Sequence, residues 1–147
     1  MLRKWQLVSF ALLALAAAAF VVGCSRNKSI DRDQARSEVR SALSFVAESE
    51  MFLNFVIQGR APRHYAAEHT VYLEQAIGKS AKELTRAVPE SHAKDSIDEC
   101  QAGLSALARE LSGIRTVIPV DDEKALAAAL RRITAIRESL EKANAHR

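Results

Sequence analysis

From residue 30 onward, apolar residues recur every three or four positions in four successive runs. That is the spacing of helices that each bury one face. Pro62, Pro89 and Pro119 divide the runs into stretches 30–59, 62–88, 89–118 and 120–147. Ser29-Ile30-Asp31 opens the first, with Asp31 and Asp33 suited to the positive end of a helix. Its apolar positions include Val39, Leu43, Val46, Leu53 and Val56. Gly59 can take the left-handed conformation that ends a helix, and Pro62 can start the next. The second stretch carries Tyr65, His69, Tyr72, Leu73, Ala76, Ile77, Leu84 and Val88 on one broad face. The third starts at Pro89 or at Ser96, where Ser96 and Glu99 have capping-box spacing. Its seam is Ile97, Cys100, Leu104, Leu107, Leu111 and Ile114. Asp121-Asp122-Glu123 opens the fourth, whose inner face is Leu126, Ala129, Leu130, Ile133, Ile136 and Leu140. Four such helices with short connections predict an all-α domain, an antiparallel four-helix bundle over residues 30–147. Met51–Ile57 and Ile114–Val120 also read as strands, but neither has a partner or hairpin turn.

The first 23 residues follow a different pattern. A short basic stretch, Met1 to Gln6, precedes an uncharged apolar run from Leu7 to Val22. That run is shorter than the roughly 20 residues that span a bilayer. The order of positive, apolar and small residues is that of a secretory signal. Removing this leader changes the charge picture. The whole chain has a formal net charge of +3. From Cys24 onward 19 Lys and Arg face 18 Asp and Glu, a net of +1. The basic character therefore belongs partly to the leader, and a nucleic-acid partner is not expected. Arg131, Arg132 and Arg137 form only a small basic patch, interrupted by Glu138 and Glu141.

The string Val21-Val22-Gly23-Cys24, placed after that leader, resembles the lipobox of bacterial lipoproteins. The resemblance covers residues 1–24 alone. It implies cleavage between Gly23 and Cys24, diacylglycerol on the Cys24 sulfur and acylation, such as by palmitate, of the new amino group. Two or three chains, at about 0.8 kcal/mol per buried methylene, anchor a protein stably. Asp after the cysteine commonly retains lipoproteins of enteric-type bacteria in the inner membrane. Ser25 is compatible with sorting to the outer membrane, facing the periplasm. Residues 24–29 form a short tether that reaches at most ~20 Å. With Cys24 acylated, Cys100 is the remaining thiol, and its place on the seam of the third stretch predicts buried packing.

Candidate chemistry is sparse. The five aromatic residues after Cys24 all lie between Phe45 and Tyr72. A hairpin closing at Gly59–Pro62 sets Phe52 level with His69, Phe55 near Tyr65, and Ser49 or Glu50 near Tyr72. Glu48, Glu50, His69 and Tyr72 are the candidate ligand pocket, with Arg60, Arg63 and His64 crowning the turn. The alternative is an aromatic layer whose polar tips are satisfied by nearby carboxylates. No metal is expected. His64 and His69 are five residues apart, about 140° around a helix, and cannot share an ion as an i,i+4 pair can. His92, Asp95 and Glu99 stack on one helix face and could hold a cation weakly, although a solvated helix start explains them as well. No phosphate loop, dinucleotide fingerprint, nucleophile elbow or haem-attachment motif is present, so no cofactor and no enzymatic activity are expected. The sequence predicts a membrane-anchored envelope lipoprotein whose helical module binds an envelope protein. A small-ligand or metal-binding bundle is the alternative.

Overall fold

The computed structural model describes residues 29–145. The leader, Gly23, Cys24, the tether up to Lys28 and His146 lie outside the described residues. The chain forms a helical bundle: α1 (Arg32–Ile57), α2 (Arg63–Thr85), α3 (Lys94–Val117) and α4 (Glu123–Ala145). Each helix spans roughly 35–39 Å at 1.5 Å per residue. Asp31 caps α1, its Oδ1 accepting from the Gln34 amide at 2.8 Å. Gly59, at φ 66°, turns the chain out of α1, a conformation that costs glycine little. Asp121 takes the left-handed conformation at φ 58° before α4, where a short polar side chain is tolerated. The neighbouring Asp122 then caps α4 by accepting from the Ala125 amide.

The seams of α3 and α4 are those the spacing predicts. Ile97, Cys100, Leu104, Leu107, Leu111 and Ile114 are all buried, as are Leu126, Ala129, Ile133 and Leu140. Leu130 and Ile136 are half-buried against them. The buried core runs from Ile30 to Leu140, within the described residues. Ser49 and Thr70 complete it, because their hydroxyls donate to the Phe45 and Ala66 carbonyls one turn back, at 2.8 and 2.7 Å.

The two runs that also read as strands are helical, as the all-α reading expects: Met51 to Ile57 lies in α1, and Ile114–Val120 continues α3 to Val117 before a 3-10 turn, Ile118–Val120. Three details differ from the sequence reading. First, α3 begins at Lys94 with Ala93 before it, and no side chain caps it. Ser96 lies inside the first turn, buried, so the capping box does not form. Second, the buried face of α2 is Ala66, Thr70, Leu73, Ile77, Ala81 and Leu84. Tyr65, Tyr72 and Val88 are exposed, and Val88 lies beyond the helix. Third, a two-residue parallel pair, β1 (Ser29–Ile30) with β2 (Val88–Pro89), was not foreseen. The Glu90 amide also donates to the Ile30 carbonyl at 3.0 Å. This pair fixes where the chain enters the bundle, beside the α2–α3 connection.

Helix α2 packs chiefly on α3, and α1 chiefly on α4, with α3 and α4 joining the two pairs. Gln101 donates to Thr85 and Arg115 to Glu74, so residue number rises along α3 as it falls along α2. Arg132 bonds both oxygens of Glu110 at 2.9 and 2.8 Å across α3 and α4. At the end away from the chain entry, Arg63 reaches Asp121 at 2.7 Å and ties the α1–α2 turn to the α3–α4 turn.

Candidate functional site

Helices α1 and α2 meet sparsely compared with the other sequential pairs. Their seam therefore has no continuous aliphatic packing, and near the turn it is filled by rings. Phe52, nearly buried on α1, meets His69 of α2 edge-on, with ring centroids 4.7 Å apart and planes at 63°. Tyr65 and Tyr72 flank His69 one turn to either side along α2. Their centroids lie 5.5 and 5.8 Å from His69, with near-parallel planes at 10° and 22°. The spacing i, i+4, i+7 produces this ladder directly, because it repeats along one helix face. His69 Nε2 lies 3.7 Å from Glu48 Oε1.

Three of the four candidate pocket residues, Glu48, His69 and Tyr72, are thus gathered in one place. Glu50 is not, which corrects the sequence reading. Two residues along a helix turn the side chain about 200°, so Glu50 points away from Glu48 and into α4. There the Thr134 hydroxyl donates to Glu50 Oε1 at 2.6 Å, and Arg137 Nη1 lies 3.5 Å from Oε2. Glu50 is a structural clamp between α1 and α4. Ser49 is buried, and its hydroxyl donates to the Phe45 carbonyl of its own helix.

Between the ring ladder and the turn lies a cleft of about 340 Å³. Its walls are Met51, Phe52, Phe55, Pro62 and Tyr65, with Glu48 and His69 lining it from further up the helices and Arg60 from the turn. Met51, Phe55, Tyr65 and Tyr72 are 58%, 41%, 49% and 63% exposed, and all four lie in this region. Large apolar side chains left together in solvent mark a binding surface more often than chance scatter does. A wider groove of about 660 Å³ lies between α2 and α3. Gly78, Lys79, Ala81, Lys82, Ser105 and Ala108 line it, with no aromatic ring, so it offers less to grip a ligand.

The turn's cations are unequal. Arg63 is bound to Asp121, and His64 lies 3.9 Å from Glu68. Arg60 has no carboxylate partner among the described residues. No group of three or more His, Cys, Asp or Glu converges among the described residues. His92 lies 3.4 Å from Glu90 rather than gathering with Asp95 and Glu99. Cys100 is fully buried, and burial, helped by the charge of Glu38, pushes its thiol up to about 12. A thiol held protonated in this way is a packing group, not a nucleophile.

No helix among the described residues is long and apolar enough to cross a membrane. In the comparisons with known proteins, no family model matches the chain, and no curated protein or solved structure resembles it significantly.

Proposed function

We propose that the protein is a bacterial envelope lipoprotein, held by lipid on Cys24, whose bundle is a non-enzymatic module for binding an envelope protein. The leader and the Val21-Val22-Gly23-Cys24 string support the anchor. The observation that carries the binding role is the exposed cluster of Met51, Phe55, Tyr65 and Tyr72. It stands near the turn end of α1 and α2, while the chain enters at the opposite end, beside Val88. A lipid on Cys24 holds the entry end at the bilayer and presents the aromatic end away from it. Ser25 after the cysteine supports placement in the outer membrane, facing the periplasm.

The test combines two readouts on cells expressing the full chain. Fatty-acid labelling of the wild type, lost in Cys24→Ser, supports the anchor. A photo-crosslinker placed at Tyr72 should then trap one envelope protein, and the same probe at exposed Glu138 should not. A native mature chain that starts elsewhere and carries no lipid overturns the anchor. Equal trapping at both positions overturns the binding surface.

A second reading, a small-ligand-binding bundle, is favoured by the cleft itself. Its volume lies at the lower end of the range for small-molecule sites, and its walls are mostly apolar with a few polar groups.

A further inference from the structure

Resting on that second reading, we propose that the cleft takes a small monoanion: an apolar body with one carboxylate, the carboxylate set toward Arg60. The walls decide the body. Phe52, Phe55, Tyr65, Met51 and Pro62 offer ring faces and aliphatic carbon and no hydrogen-bonding group apart from the Tyr65 hydroxyl. From Glu48 to Phe55 the cleft follows seven residues of α1, about 10 Å at 1.5 Å per residue. That length suits one aromatic ring with a short chain, or an eight-carbon chain.

The charges decide the head group. At the upper end Glu48 already lies 3.7 Å from His69. At the turn, Arg63 is committed to Asp121 at 2.7 Å, and His64 faces Glu68. Arg60 is the cation that lines the cleft without a carboxylate partner among the described residues. Its guanidinium presents a planar fork of donors that matches a carboxylate. A cationic ligand would instead meet Arg60's repulsion and compete with His69 for Glu48. The same cleft therefore discriminates between amphiphiles of equal length by the sign of their head group.

The experiment uses the chain from residue 24 onward with Cys24→Ser, which carries every core residue from Ile30 to Leu140 found among the described residues. Tyr65 and Tyr72 are the chain's two tyrosines, and its Trp5 lies in the leader. Tyrosine fluorescence of this protein thus reports on the site alone. The probes are octanoate, 1-octanol and octylammonium. Octanoate is expected to bind about ten-fold more tightly than the other two, a difference of about 1.4 kcal/mol. Arg60→Gln should bring octanoate to the level of 1-octanol, and Phe55→Ala should weaken all three. Tighter binding of octylammonium, or an unchanged octanoate affinity in Arg60→Gln, overturns the anion assignment while leaving the ligand reading in place. Silence of both tyrosines with all three probes, or binding indifferent to Phe55→Ala, overturns both.

Discussion

Gly103 of α3 faces Leu140 of α4 so closely that a Cβ on residue 103 would stand 2.9 Å from Leu140 Cδ2 and 3.2 Å from its Cγ. The absence of a side chain at this one position lets the two helices approach there. Gly78 and Gly113 are also helical, yet a Cβ at either would meet nothing within 4 Å. The three glycines therefore make a matched series. Alanine at 78 or 113 should raise stability by about 0.5–1 kcal/mol, the ordinary helix preference of Ala over Gly. At 103 that gain is offset by displacement of Leu140, and Gly103→Val should destabilise by about 1–3 kcal/mol through overpacking. Urea midpoints of the variants check the order.

Glu48 and Glu50 should separate by function despite their proximity in sequence. Glu50 accepts from Thr134 at 2.6 Å and faces Arg137, whose Nε is already buried without a hydrogen-bond partner. Glu50→Ala removes the acceptor of the part-buried Thr134 hydroxyl bond and the nearer carboxylate of Arg137, leaving Glu141 at 3.9 Å, and should cost about 1–3 kcal/mol. Glu48 is 41% exposed, and its contact with His69 is long, so Glu48→Ala should cost less than about 1 kcal/mol. Thermal melts of the two variants give the comparison directly. Equal losses would place Glu48 in the structural framework as well.

Leu107 lies at the centre of the α3 seam and is wholly buried. An aspartate there carries an unpaired charge into the core, and the expected loss for Leu107→Asp is at least about 3 kcal/mol. Circular dichroism should show a markedly lower melting temperature or an unfolded chain at room temperature. An unchanged melting curve would contradict the observed packing.

Cys100 supplies a prediction about pH. In the unfolded chain a thiol ionises near 8.5, whereas in the fold burial, then the charge of Glu38, raises it to about 12. Between those values the unfolded state has released a proton that the folded state retains. Stability from this group is therefore fully present below about pH 8.5 and falls as pH rises toward 12. Cys100→Ala should lose less stability than the wild type between pH 8.5 and 10.5, which urea titrations at a series of pH values resolve. Iodoacetamide should label Cys100 slowly in the folded protein and rapidly in denaturant. Rapid native labelling would mean that the α3 seam opens readily.

The periodicity of the chain was enough to specify four helices and the buried faces of α3 and α4. Cys100 and Leu107 are legible as core because a helix repeats every 3.6 residues whatever it later packs against. Ending α1 at Gly59 was legible for the same reason, since a left-handed turn is a local backbone event. The opposed directions of Glu48 and Glu50 were also recoverable from helical geometry, which sets them about 200° apart. What periodicity could not decide is which helix each face meets. Tyr65 and Tyr72 have the spacing of core residues, but α2 commits its Leu73 and Ile77 face to α3, and the rings are left in solvent over the sparse α1 seam. Glu50 finds Thr134 across 84 positions of sequence. Ser29 pairs with Val88, and Gly103 admits Leu140. Each of these depends on the pairing of whole helices, a choice made by the total apolar area and shape of their faces rather than by any neighbouring residues in the chain.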